Sequence, residues 1–88
     1  MIDLPPVGKV AGWKVYVYAN DHKKPHVHLR KAGQQVSVSL EGVILEGDLP
    51  CGDWNKLKPW IESYQRELLD AFENVQNGLL PNWLGEEE

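Results

Sequence analysis

Two hydrophobic periods divide the chain. From Trp13 to Leu40 apolar residues alternate with polar ones, and from Trp54 to Val75 they recur every three or four positions. Trp13, Val15, Val17 and Ala19 fall on one side of an alternating run, with Lys14, Tyr16 and Tyr18 on the other, which predicts a strand over residues 13–19. Asn20-Asp21 is turn chemistry, and Pro25 disfavours a helical residue before it, so residues 20–24 read as a loop. Pro25–Lys31 predicts a second strand, with Val27 and Leu29 facing one way and His26, His28 and Arg30 the other. After the short turn at Ala32-Gly33, Gln34–Leu40 predicts a third, with Val36, Val38 and Leu40 inward and Ser37 and Ser39 outward. Val43-Ile44-Leu45 predicts a short fourth strand, and Gly47-Asp48-Leu49-Pro50 ends the sheet region.

The second period predicts a helix over residues 53–77. Trp54, Leu57, Ile61, Tyr64, Leu68, Phe72 and Val75 trace one stripe. Asp53 is the expected N-cap and Gly78 the expected stop. Pro59 removes a backbone donor and crowds the carbonyl of Asn55, so the helix is expected to be kinked or broken near Pro59. Residues 1–12 read as a loose lead-in and residues 79–88 as a tail with frayed glutamates. One apolar helix stripe and one apolar sheet face predict a small two-layer α+β domain, spanning 1–88, with a three- or four-stranded antiparallel sheet packed on a C-terminal helix. The face bearing His26 and His28 then points away from the helix, toward solvent or a partner.

Eighty-eight residues allow one domain with a small core, which four Trp, three Tyr and one Phe help to fill. A single cysteine, Cys51, excludes an intramolecular disulfide, and nothing cationic flanks it to activate it as a nucleophile. No apolar run is long enough to span a membrane, and the N-terminal residues lack the basic and apolar regions of a signal peptide, so a cytoplasmic protein is expected. The net charge of -4 is uneven: residues 1–40 carry +4 and residues 41–88 carry -8. The acidic half argues against broad wrapping of nucleic acid, while the basic half leaves room for a local phosphate contact.

Candidate chemistry concentrates in Asp21-His22-Lys23-Lys24-Pro25-His26-Val27-His28, which contains all three histidines. His26 and His28, two apart on a strand, present both rings on one face. With His22 they form a candidate ligand set for a divalent metal such as zinc, which takes three or four His, Cys or carboxylate ligands. Without a metal, His26 and His28 beside Asp21 are candidate catalytic groups for general acid–base cleavage of a phosphodiester, with Arg30 and Lys23 or Lys24 to stabilise developing charge. A third alternative is structural: a histidine after proline can fix a hairpin by bonding a strand carbonyl or a turn carboxylate. A fourth is an interface in which Tyr16, Tyr18 and Arg30 flank the histidines as binding residues, since aromatics and arginine are enriched at protein contacts.

The segment Asp21-His22-Lys23-Lys24-Pro25-His26-Val27-His28 resembles the Asp-His-x-Pro-Pro-His-x-His signature of the domain of unknown function 4160 family of small prokaryotic proteins. Leu45-Glu46-Gly47-Asp48-Leu49-Pro50 resembles its Leu-x-Gly-x-Leu-Pro segment. Trp60-Ile61 followed by Glu67-Leu68-Leu69 resembles its helix, with Tyr64 where the family often has histidine. The chain departs from the pattern at Lys24, where the family usually has proline, in its lead-in, and after Gly78. The resemblance implies a small protein partner and a part in a toxin–antitoxin pair. It implies no established activity, cofactor or catalytic residue.

Overall fold

The structure is a computed structural model, and it describes residues 4–18 and 24–88. Six strands and two helices follow one another as β1 (Gly8–Val10), β2 (Trp13–Tyr16), β3 (His26–Lys31), β4 (Gln34–Ser39), β5 (Ile44–Glu46), α1 (Cys51–Ser63), α2 (Gln65–Gln76) and β6 (Gly85–Glu87). They form an α+β fold with one sheet in the order β5-β4-β3-β2-β1-β6, antiparallel throughout except for the parallel pair β1 and β6.

The alternation read from β2, β3 and β4 holds. Trp13, Val15, Val17, Val27, Leu29, Val36, Val38 and Leu40 are buried on the inner face, together with Leu57, Ile61, Leu68, Phe72 and Val75 of the helices. Each fully buried aliphatic side chain in this layer contributes on the order of 1.5–3 kcal/mol. The core thus lies between the sheet's inner face and the two helices.

Three expectations about the periphery are corrected. The lead-in is not loose: Gly8–Val10 forms β1, with Val7 and Val10 fully buried. The glutamate tail is not wholly frayed, because Gly85–Glu87 lies along β1 in register Gly8↔Gly85 and Val10↔Glu87. The sheet is therefore six-stranded and mixed rather than a three- or four-stranded antiparallel one. At the joint, a Cβ on Gly8 would stand 2.6 Å from the Trp60 ring and 2.8 Å from the Gly85 carbonyl. The missing side chain lets the indole pack directly beneath the β1–β6 pair.

The helix is also divided differently. Pro59 lies inside α1, and the break falls at Tyr64. Pro59 and Asn55 are both exposed, so the carbonyl that proline leaves without a donor faces water. At the break, the Ser63 hydroxyl donates to the Trp60 carbonyl (2.9 Å), which also receives the Tyr64 amide (3.1 Å). Such back-bonding by a serine hydroxyl bends helices. Asp53 is not the N-cap: Pro50 holds that position, and Asp53 lies in the first turn, where its carboxylate suits the positive end of the helix dipole. Gly78 does end α2, at φ +79°, with its amide bonded to the Val75 carbonyl and the Leu79 amide to that of Asn74, the pair of bonds of a Schellman motif.

Two turns at one end of the sheet share a chemistry. Ala11-Gly12 joins β1 to β2 and Ala32-Gly33 joins β3 to β4, with φ of 52°, 82°, 49° and 81°. Positive φ at both central residues is the type I′ requirement, usually met by Asn-Gly or Asp-Gly. No helix among the described residues is long and apolar enough to cross a membrane.

Candidate functional site

The outer face of the sheet is built by the polar half of the same alternation. Lys14, Tyr16 and Tyr18 from the β2 segment lie beside His26, His28 and Arg30 of β3 and Gln35, Ser37 and Ser39 of β4. Register sets the rows. Tyr16 stands opposite His28, which stands opposite Ser37, and Lys14 stands opposite Arg30, which stands opposite Gln35.

These side chains form a continuous chain of contacts. The Tyr16 and Tyr18 rings are nearly parallel, at 4°, with centroids 5.8 Å apart. The Arg30 guanidinium lies 5.3 Å from the Tyr16 centroid and 5.5 Å from that of Tyr18, within cation–π range of both. Tyr18 meets His28 edge-on at 4.9 Å, and His28 meets His26 in the same way at 4.9 Å. The sequence-predicted residues Tyr16, Tyr18, His26, His28 and Arg30 are thus brought together on one surface.

The two imidazoles differ in setting. His26 is 4% exposed, although it belongs to the outer face, so its expected solvent exposure is corrected. Its Nδ1 donates to the Lys24 carbonyl at 2.8 Å, a backbone bond to the residue two before it, outside the strands. A carbonyl can only accept, so in the neutral ring the hydrogen sits on Nδ1 and Nε2 is an acceptor. His28 is half-buried, and its Nδ1 accepts from Gln35 Nε2 at 3.0 Å, with the Ser37 hydroxyl at 3.4 Å. The neutral His28 ring then carries its hydrogen on Nε2. In their neutral forms the neighbouring rings thus offer opposite groups at Nε2, an acceptor on His26 and an N–H donor on His28.

Asp21, His22 and Lys23 lie outside the described residues. Among the described residues no three His, Cys, Asp or Glu side chains group to hold a metal ion, so a zinc set built on His26 and His28 would draw its third ligand from that segment. Cys51 is exposed at the start of α1. Inference from sequence missed Gln35 and Ser37 as partners of His28, and Lys14 as the neighbour of Arg30. Pairing residues outward from the Ala32-Gly33 turn places Gln35 opposite Arg30 and Ser37 opposite His28, so that signal was present.

In comparison with known protein families, the description "Domain of unknown function (DUF4160)" matches residues 12–73, which include β2 to β5, α1 and most of α2. Neither the curated proteins nor the solved structures contain a match.

Proposed function

The chain belongs to the DUF4160 family, whose description assigns no activity, and on that premise we propose that it is a small protein-interaction domain whose contact surface is the outer face of the sheet. The observation that supports this is the continuous run Arg30–Tyr16–Tyr18–His28–His26, in which aromatic and arginine side chains contact one another on the face opposite the helices. Aromatic rings and arginine are the side chains that carry most binding energy at protein interfaces. A small protein encoded beside it, as in a toxin–antitoxin pair, is the partner this reading takes. Co-expression with that protein and size-exclusion chromatography test it. Tyr18→Ala with His28→Ala should dissociate the complex. A complex that survives replacement of Tyr16, Tyr18, His26 and His28 together would exclude this face.

The adjacency of His26 and His28, with ring centroids 4.9 Å apart, favours one second reading, a histidine-dependent phosphodiesterase or nuclease. Neutral His26 would take the proton of the attacking hydroxyl, His28 would enter as the imidazolium and protonate the leaving oxygen, and Arg30 would bind the phosphoryl oxygens. With a divalent metal, His22 would join the pair as a third ligand. His28→Ala should abolish cleavage of a single-stranded oligonucleotide while leaving the melting temperature nearly unchanged. Undiminished cleavage by that variant, or none by the parent with and without zinc, would sink it.

A further inference from the structure

The register of the sheet places three cations in one row across three strands. Lys9 of β1 is directly opposite Lys14 of β2, and Lys14 is directly opposite Arg30 of β3. All three are exposed and belong to the outer face, since their sequence neighbours Gly8, Val10, Trp13, Val15 and Leu29 are buried on the inner one. Like charges at directly opposed positions destabilise a sheet. Lys14 has a cation on each side. Lys9 has Glu86 opposite it on β6, yet the only ion pair among the described residues is Lys31–Asp53, at 3.9 Å. No carboxylate among the described residues pairs with Lys14 or Arg30, in a chain whose net charge is -4.

Lys14 and Arg30 line an open cleft of about 490 Å³ between the two Ala-Gly turns. Lys14, Tyr16, Arg30, Gln34 and Gln35 face it, Lys31 forms its rim while reaching toward Asp53, and no carboxylate among the described residues contributes to the wall. The next row along the face begins with Tyr16, parallel to Tyr18. Cations alone would suit any anion. Cations two residues along the strand from a pair of parallel aromatic rings suit a ligand that alternates negative charge with flat rings, which describes a single strand of nucleic acid. The acidic helical half confines such a ligand to this face.

We propose that the outer face binds a short single strand of nucleic acid, with phosphates at Lys14 and Arg30 in the cleft and bases against Tyr16 and Tyr18. Tyr16, Tyr18 and Arg30 also belong to the proposed protein contact, so the two ligands would exclude one another, and nucleic-acid binding is measured on the chain without a protein partner.

The test is fluorescence anisotropy of the full chain with a short labelled single-stranded RNA over a range of salt. A duplex of the same sequence and an acidic peptide serve as comparison probes. Binding should weaken with salt, and Lys14→Gln should reduce the slope of log affinity against log salt by about 0.7, the value for one lost phosphate contact on a single strand. Tyr16→Ala with Tyr18→Ala should lower affinity about tenfold or more with the slope unchanged. Removing the central cation relieves repulsion, so Lys14→Gln should melt no lower than the parent, which separates lost binding from lost folding. Binding of the acidic peptide but not the RNA, equal binding of duplex and single strand, no RNA binding at low salt, or binding that survives both sets of substitutions would each overturn the proposal.

Discussion

The indole Nε1 of Trp13 donates to the Asp53 carboxylate at 3.0 Å, joining the first residue of β2 to the first turn of α1. Trp13 is 1% exposed, so its N–H has no recourse to water. The same carboxylate lies 3.9 Å from Lys31, whose ammonium also donates to the Ala11 carbonyl at 3.2 Å. One acid thus ties together the helix, the second strand and the end of the third. Asp53→Ala should destabilise the protein by about 1–3 kcal/mol, the cost of a buried donor without an acceptor. Trp13→Phe in that background should add less than it does alone. Urea denaturation of the four-member mutant cycle measures this, and additive effects would remove the bond from the account.

At Gly8 the expected change is steric. An added methyl meets both the Trp60 ring and a backbone carbonyl, so Gly8→Ala should cost about 1–3 kcal/mol. Trp60→Leu should recover only part of that loss, because Gly85 still crowds the site. Chemical denaturation followed by far-ultraviolet circular dichroism reads both variants.

The Ala-Gly turns leave room for improvement. Alanine at φ 49° and 52° occupies a region that asparagine tolerates better. Ala32→Asn should therefore stabilise the fold by roughly 0.5–1 kcal/mol, as conversion to the preferred type I′ pair suggests. A lowered denaturation midpoint would contradict that assignment of the turn.

His26 and His28 should separate on substitution. His26 is buried and bonded to the backbone, so His26→Ala should lower stability by about 1–3 kcal/mol. His28 is more exposed and its Nδ1 partners are side chains of β4, so His28→Ala should cost less. Thermal melts decide the order. If the two variants melt alike, burial at position 26 has no energetic weight, and His26 becomes as informative a probe of function as His28.

What could be read from the sequence follows the strength of each local signal. Val27 to Val38 alternate so regularly that inner and outer faces follow from the sequence, and Leu57 to Val75 trace the helical stripe. β1 and β6 carry no such signal. Each has three residues, β6 reads Gly-Glu-Glu, and both depend on tertiary pairing and on Trp60 beneath them. Trp60 lies off the stripe yet is 4% exposed, because β1 and β6 extend the sheet over it. At the site, grouping His26, His28, Tyr16, Tyr18 and Arg30 needed only alternation. Burial of His26 did not follow from it, since that depends on what surrounds the ring rather than on which way the residue points.

The parallel pairing of Gly8–Val10 with Gly85–Glu87 has a kinetic consequence. It joins the first strand to the last, closing a loop that contains every other element, so the entropy of bringing its ends together is near the maximum this chain can incur. The β2–β3–β4 meander and the two helices consist of near neighbours in sequence and can assemble early. During synthesis β1 must wait, with one edge unpaired, until residues 85–87 have emerged. The sheet is therefore completed in the order opposite to the one in which its first strand is made, and the interval before β6 docks is when this chain is most open to pairing with a strand from elsewhere.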